Sequence, residues 1–118
     1  MDIHELTRAL LNFRDERNWA QFHTLRNLIV SLNLEAGELL ELTQWKSDAE
    51  METLLDDPAK HKALRDECAD VLLYLLLIAE RAGIDLEAAA LDKLQKNAEK
   101  YPVAKSYGTS RKYTELGD

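Results

Sequence analysis

Apolar residues recur at helical spacing along most of the chain. Four of them, three or four positions apart, predict a first helix over residues 3–17: Ile3, Leu6, Leu10 and Phe13. Residues 18–23 interrupt this periodicity and are predicted to form a turn. Thr24 is a suitable N-cap for a long second helix that extends to about Lys46.

The second half of the chain predicts two further long helices. Residues 47–57 are acidic and weakly apolar, which allows at most one short helix there. The order Asp57-Pro58 is typical of an N-cap followed by the first helical residue, and this third helix should stop near Gly83. Asp85 is a suitable N-cap for a fourth helix.

These helices predict an all-α domain of the four-helix bundle type over residues 1–102, followed by an extended tail over residues 103–118. Residues 71–79 are apolar on every side of the third helix, so neighbouring helices must cover all of its surface. A single chain of this length has few helices with which to do so. The sequence therefore predicts self-association.

Two acidic pairs lie on the apolar stripes of the second and third helices: Glu35 with Glu38, and Glu67 with Asp70. Residues three apart on a helix have Cβ atoms about 5–6 Å apart, so each pair can present two carboxylates to one point. If the two helices pack antiparallel, all four carboxylates converge. Gly37 leaves two alternatives open, close packing against a neighbouring helix or free space beside the carboxylates.

Such a cluster is costly to bury unless some acids hold protons or a cation is present. Oxygen ligands without cysteine or histidine at ligand spacing favour Mg²⁺ or Mn²⁺ over zinc and copper. A di-iron bundle would need Glu-x-x-His, and none of the three histidines has a glutamate three residues before it. The remaining alternative is a solvated acidic face, or pairing with the lysines and arginines of a neighbour.

Two further sets of residues suit a nucleotide. Two lysines and an amide share one face of the fourth helix and could hold a di- or triphosphate, although exposed lysines are common on such helices: Lys93, Asn97 and Lys100. Aromatic groups near the acids could stack on a planar base, although the last two fit a core equally well: Trp19, Phe22, His23, Trp45 and Tyr74.

Composition narrows the classes of function. The chain has 118 residues, 46% of them hydrophobic and 31% charged, and no apolar run approaches the roughly 20 residues of a membrane span. A net charge of −7 argues against a nucleic-acid polymer as partner. The first residues lack the features of a signal peptide, so a cytoplasmic location is expected. The single cysteine, Cys68, is expected to be a small core residue.

Several segments resemble the MazG-like, all-α NTP pyrophosphatase superfamily. LNLEAGELLELTQWK and RDECADVLLYLL carry its Glu-x-x-Glu and Glu-x-x-Asp signature, with 28 residues between Glu38 and Glu67. ERNWAQFHTLRNL, NAEKYP and SRKYTEL are similar, within that superfamily, to the dCTP pyrophosphatases. The resemblance covers nearly the whole chain except residues 47–62.

The resemblance implies an all-α dimer or dimer of dimers that uses Mg²⁺ to hydrolyse dCTP and modified dCTP to the monophosphate and pyrophosphate. This reaction would remove surplus or modified nucleotides from the pool. It implies that the aromatic and lysine sets bind substrate, and that four acids bind the metal and act in catalysis: Glu35, Glu38, Glu67 and Asp70. The animal enzymes place a histidine where this chain has Leu10, so cytosine, its 5-modified forms or a broader set of bases could be accepted.

A second hypothesis is a helical oligomerisation module or a regulatory module that binds nucleotide without turnover, in which the acids hold a structural divalent ion. Both hypotheses predict that Mg²⁺ stabilises the protein. Only an assay that identifies a product separates them.

Overall fold

The computed structural model describes residues 1–117, and over those residues the chain is helical and contains no strand. The prediction of an all-α fold is confirmed. Two short 3-10 turns, Ala20–Phe22 and Tyr113–Glu115, accompany the α-helices. These helices are α1 (Ile3–Glu16), α2 (Leu25–Glu41), α3 (Asp48–Leu54), α4 (Pro58–Ala82), α5 (Leu86–Lys100) and α6 (Val103–Ser106).

The first five helices begin where a side chain satisfies a free backbone N–H group. The Asp57 carboxylate, for example, accepts from the backbone N–H groups of Ala59 at 3.0 Å and Lys60 at 3.3 Å. Each such cap stabilises its helix by about 1 kcal/mol. The other caps are Asp2, Thr24, Ser47 and Asp85.

The second helix ends about five residues earlier than predicted. After Glu41 the backbone makes shorter-range hydrogen bonds, and the Thr43 hydroxyl donates to the Leu40 carbonyl at 2.7 Å, which competes with helical pairing. Trp45 then takes a left-handed conformation with φ of 63°. It therefore leaves the apolar stripe and is 92% exposed, so the prediction that Trp45 continues the helix is wrong.

Contacts divide the chain into two compact units, Met1–Ile84 and the residues from Asp85 onward. In the first unit α2 and α4 make the most extensive interhelical contact, and α1 also packs on α4. The buried apolar side chains of the described residues all lie in this unit: Leu28 on α2, Leu54 on α3, and Leu76, Leu77 and Ala79 on α4.

The apolar stretch of α4 is only partly covered. Leu72 and Leu75, within residues 71–79, remain 40% and 36% exposed. On α2, Ile29 and Leu34 are 44% and 65% exposed. Over residues 1–117, none of the helices combines the length and the apolar character needed to cross a bilayer.

The tail differs from the extended conformation that was predicted for it, because it contains α6 and the Tyr113–Glu115 turn. Tyr113 packs edge-on against Tyr101, with ring centroids 6.1 Å apart, and the Lys100 ammonium lies 4.9 Å from the centre of its ring. Aromatic and cation–π contacts of this kind tie the turn to the end of α5. The domain boundary at residue 102 stays a prediction.

Candidate metal and nucleotide site

Three carboxylates from two helices converge in the first unit. Glu35 and Glu38 from α2 and Glu67 from α4 each present an oxygen, and these oxygens all lie within 4.8 Å of one another. Oxygens on opposite sides of one Mg²⁺ are about 4.2 Å apart. Small side-chain movements would therefore bring all three onto a single cation.

Asp70 lies close to this group without joining its tight cluster. It follows Glu67 by one helical turn on α4, and its negative charge helps to raise the pKa of Glu35. The structure thus brings three of the four predicted acids together and places the fourth within electrostatic reach. All four are on α2 and α4, which form the main helix contact of the unit.

The mutual proximity of the acids favours their protonated forms. The pKa of Glu67 is raised to about 7, mainly by burial and in addition by a hydrogen bond with Glu38 and by the Glu38 charge. The pKa of Glu35 is raised mainly by burial and then by the charges of Glu38 and Asp70. At neutral pH the cluster therefore retains a proton that isolated glutamates would lose.

Two oxygens of the cluster are buried without a hydrogen-bond partner among residues 1–117: Oε2 of Glu35 and Oε2 of Glu67. Ionised carboxylates only accept hydrogen bonds, so they cannot satisfy one another unless one of them carries a proton. A cation would satisfy both oxygens at once. The donor set, with oxygen atoms only, fits a hard divalent cation such as Mg²⁺.

Gly37 lies between the two glutamates of α2. A Cβ built on it would have no atom of the described chain within 4 Å, so packing inside this chain does not require glycine there. Of the two alternatives considered for Gly37, free space beside the carboxylates agrees with the structure.

A cleft of about 210 Å³ adjoins the acids. Asp70 lines it, and so do three of the five predicted base-contact residues, Trp19, His23 and Tyr74. The volume is below the 300–1,000 Å³ typical of sites for drug-sized ligands, so it suits a planar base rather than a whole nucleotide. The rest of the lining is Leu10, Phe13, Arg14, Leu73 and Leu77.

The end of α1 builds one wall of this cleft. The Trp19 backbone N–H donates to the Arg14 carbonyl at 3.1 Å, which folds the indole back toward the helix. Trp19 then meets Phe13 edge to face, with ring centroids 5.7 Å apart, and the Arg17 guanidinium lies 3.7 Å from the centre of the Phe13 ring. These contacts fix the orientation of the aromatic wall.

His23 presents a neutral imidazole to the cleft. Burial lowers its pKa, and the positive charge of Arg14 lowers the pKa further. Its Nδ1 atom is buried and has no hydrogen-bond partner within residues 1–117. A neutral histidine with an open nitrogen is free to exchange a hydrogen bond with a bound base.

The structure does not bring every predicted site residue to the cleft. Phe22 and Trp45 are 60% and 92% exposed and are not part of its lining. The set on α5 belongs to the second unit, where Lys93 and Lys100 are exposed and Asn97 is half-buried. The binding roles of these residues stay predictions.

Sequence reasoning missed Arg14. The guanidinium belongs to a residue that follows Leu10 by four positions, so both lie on the face of α1 that meets α4. The position of a basic residue beside the apolar stripe could have indicated that Arg14 lines the cleft. An arginine near the end of a helix is usually expected to be exposed to solvent.

Carboxylates from two packed helices, beside an aromatic cleft, form a candidate divalent-metal site in a helical protein. The model of the MazG-like family matches residues 30–116. The chain belongs to the MazG-like family.

Similar proteins are known from animals and archaea. The chain is 44% identical to dCTP pyrophosphatase 1 of Rattus norvegicus and 43% identical to dCTP pyrophosphatase 1 of Homo sapiens, over 114 residues that cover 97% of this chain and 67% of each relative. A crystal structure of a pyrophosphatase from Archaeoglobus fulgidus superimposes with a TM-score of 0.79 at 40% identity, covering 85% of this chain and 92% of the archaeal one.

Proposed function

We propose that the protein is a Mg²⁺-dependent nucleoside triphosphate pyrophosphohydrolase that converts dCTP and modified dCTP to the corresponding monophosphate and pyrophosphate. It would thereby remove surplus or modified nucleotides from the pool. The observation that carries this proposal is the convergence of Glu35, Glu38 and Glu67, two of which have a buried oxygen without a hydrogen-bond partner among the described residues. The likeness to proteins named dCTP pyrophosphatase 1 supports dCTP as the substrate.

Glu35, Glu38 and Glu67 would hold the metal, and Asp70 would complete the shell or bind a second ion. Mg²⁺, or Mn²⁺ in its place, supplies charge neutralisation on the phosphates, polarisation of the phosphoryl group and a lower pKa for a bound water. The same residues would serve as the catalytic set, because a carboxylate that is not bound to the metal can orient or deprotonate the attacking water.

The cleft would orient the nucleotide. A base stacked on Trp19 or Tyr74 would place the phosphates on the side of Asp70, which lines the cleft and is within electrostatic reach of the acid cluster. Fixing the triphosphate in this way raises the effective concentration of its reacting bond at the metal. The bond between the α- and β-phosphates would then be hydrolysed.

The predicted substrate-binding residues outside the cleft keep their roles in this proposal. Phe22 and Trp45 are exposed aromatic groups that a base or sugar could cover. The α5 set, Lys93, Asn97 and Lys100, would neutralise the charge that develops on the leaving pyrophosphate. A cytoplasmic location agrees with a nucleotide substrate.

The protein would act as a homodimer or a dimer of dimers, with each chain contributing a four-helix bundle. Exposed apolar side chains on α2 and α4, among them Ile29, Leu34 and Leu72, support this assembly, because such surface is normally covered. Analytical ultracentrifugation should give a sedimenting mass of two or four chains. A single chain at micromolar concentration would contradict the assembly.

The function is tested with a panel of the four deoxynucleoside triphosphates, with product identification by ³¹P NMR. With Mg²⁺ we expect dCMP and pyrophosphate from dCTP, and no product with EDTA. Glu38→Ala should reduce the rate at least 100-fold, because the metal loses a ligand. Equal rates in the wild type and the variant would remove the acids from the reaction.

Glu41→Ala is a matched control, because Glu41 is an exposed acid one turn further along α2. It should keep wild-type activity. Nucleotide binding without any product would favour the non-catalytic module instead.

A further inference from the structure

Arg14 is the cationic side chain of the cleft, and it is held in place from two sides. Its Nε donates to the Asp15 carboxylate at 2.8 Å, and Nη1 donates to the Glu80 carboxylate on α4 at 3.5 Å. The side chain is only 17% exposed. A guanidinium has five N–H groups, so most of them have no partner among the contacts of residues 1–117 and are available to a ligand.

The charge around Arg14 suits a neutral acceptor better than a phosphate. Two carboxylates, those of Asp15 and Glu80, already face its single positive charge. Phosphate binding sites usually offer an excess of positive charge. Here the guanidinium contributes hydrogen-bond donors of fixed planar geometry, with little net charge left over.

The neighbours of Arg14 in the cleft are apolar or aromatic, and they would present the edge of a stacked base to it. Leu10, one turn earlier on α1, offers no hydrogen-bonding group, and Trp19 and Tyr74 offer ring faces. His23 and Asp70 also line the cleft, and the imidazole of His23 is neutral. Arg14 brings the largest number of hydrogen-bond donors to the cleft, so a base that offers two adjacent acceptors gains most from it.

The fork matches cytosine better than thymine or adenine. Cytosine has two adjacent acceptors, the ring N3 and the O2 carbonyl, which two parallel N–H groups can contact together. Thymine carries an N–H between its two carbonyls, and adenine lacks a carbonyl. Guanine also offers two adjacent acceptors, O6 and N7, so the fork separates cytosine from thymine and adenine rather than from guanine.

We infer that Arg14 is a specificity-determining residue, whose guanidinium donates to N3 and O2 of a cytosine base bound in the cleft. The inference rests on the proposed function, since it concerns the base of the nucleotide that the acids would hydrolyse. A methyl group at position 5 of cytosine leaves both acceptors free, so 5-methyl-dCTP should be recognised in the same way.

The test compares kcat/KM for dCTP and dTTP in the wild type and in Arg14→Met, which keeps the length of the apolar stem and removes every N–H group. The wild type should prefer dCTP. The variant should lower the dCTP-to-dTTP ratio about 10- to 100-fold, which is the effect of losing hydrogen bonds from a charged donor. Arg14→Lys should also lose the preference, because an ammonium lacks the planar fork.

Glu80→Gln is the matched control, because it removes the same ion pair between α1 and α4 and keeps the guanidinium. Its dCTP-to-dTTP ratio should stay within about twofold of the wild type. A loss of rate that is equal for both nucleotides in Arg14→Met would indicate a structural or phosphate-binding role and would overturn the inference. An unchanged ratio would overturn it as well.

Binding of dCMP and dTMP, followed by tryptophan fluorescence in a Trp45→Phe background so that Trp19 alone reports, separates this inference from the proposed function. If the wild type releases no pyrophosphate but binds dCMP more tightly than dTMP, and Arg14→Lys removes that difference, the function fails and the role of Arg14 stands. If dCTP is hydrolysed and neither substitution changes the ratio, the function stands and the role of Arg14 fails. Arg14→Lys carries the test should Arg14→Met not fold.

Discussion

Binding of Mg²⁺ should release protons from the acid cluster in a manner that depends strongly on pH. The pKa of Glu67 is about 7 because the carboxyl is buried and faces Glu38 and Glu35. At pH 6 such a group is about 90% protonated, and at pH 8 about 10%. A divalent cation needs the ionised form, so its binding must displace this proton.

The expected magnitudes follow from this pKa. Glu67 alone should release about 0.9 proton per bound Mg²⁺ at pH 6 and about 0.1 at pH 8, and the apparent affinity should fall about tenfold from pH 8 to pH 6. A glutamate with its ordinary pKa of 4.5 would release less than about 0.05 proton at either pH. The two cases differ by more than the error of a careful titration.

Isothermal titration calorimetry in two buffers of different ionisation enthalpy measures this proton release without any turnover. Glu41→Gln, which removes an exposed acid outside the cluster, should keep the wild-type pattern. Glu67→Gln should bind Mg²⁺ more weakly and with a smaller pH dependence, of which the raised pKa of Glu35 leaves a part. Proton release below about 0.2 at pH 6 in the wild type would refute the raised pKa of Glu67 and the displacement of its proton by the cation.

Three further predictions concern stability and binding. Because the pKa of folded Glu67 is raised, its contribution to stability is present below about pH 4.5 and is lost as pH rises through about 7. Differential scanning calorimetry without Mg²⁺ should therefore show the melting temperature of Glu67→Gln rising relative to wild type from pH 5 to pH 8. A difference that stays constant over this range would contradict the prediction. Leu28→Ala should lower the free energy of unfolding by about 3 kcal/mol in urea titrations, because Leu28 is 2% exposed at the contact of α2 with α4. Leu34 is 65% exposed, so Leu34→Ala should lower it much less unless the assembly covers Leu34. Trp45→Ala should leave the free energy of unfolding within about 0.5 kcal/mol of wild type, because the indole is 92% exposed. The same variant should raise KM for dCTP if Trp45 covers the nucleotide. An unchanged KM would remove Trp45 from the site.

The sequence predicts the helices well because each begins and ends on local chemistry. The Asp57-Pro58 start and the Gly83 end of α4 are fixed by capping and by a left-handed φ of 68°, and both lie where the pattern placed them. The end of α2 was missed because the Thr43 hydroxyl competes for a backbone carbonyl, an interaction that hydrophobic periodicity does not register.

The acid cluster could be predicted because helical spacing places Glu35 and Glu38 on one face and Glu67 on the apolar stripe of its own helix. Their convergence needed only the pairing of α2 with α4. The cleft could be predicted only in part, because Trp19 and His23 reach it through a turn whose path depends on the Arg14 carbonyl. A local hydrogen bond of this kind at the end of a helix leaves no trace in the hydrophobic periodicity of the sequence.

Reaction of dCTP with the wild type and with Glu67→Gln in saturating Mg²⁺, followed by ³¹P NMR, tests the central claim most directly. The wild type should yield dCMP and pyrophosphate in equal amounts, and Glu67→Gln, with its fold verified by circular dichroism, should be at least 100-fold slower. Release of inorganic phosphate with dCDP, or equal rates in the two proteins, would contradict the assignment of these carboxylates to a pyrophosphohydrolase site.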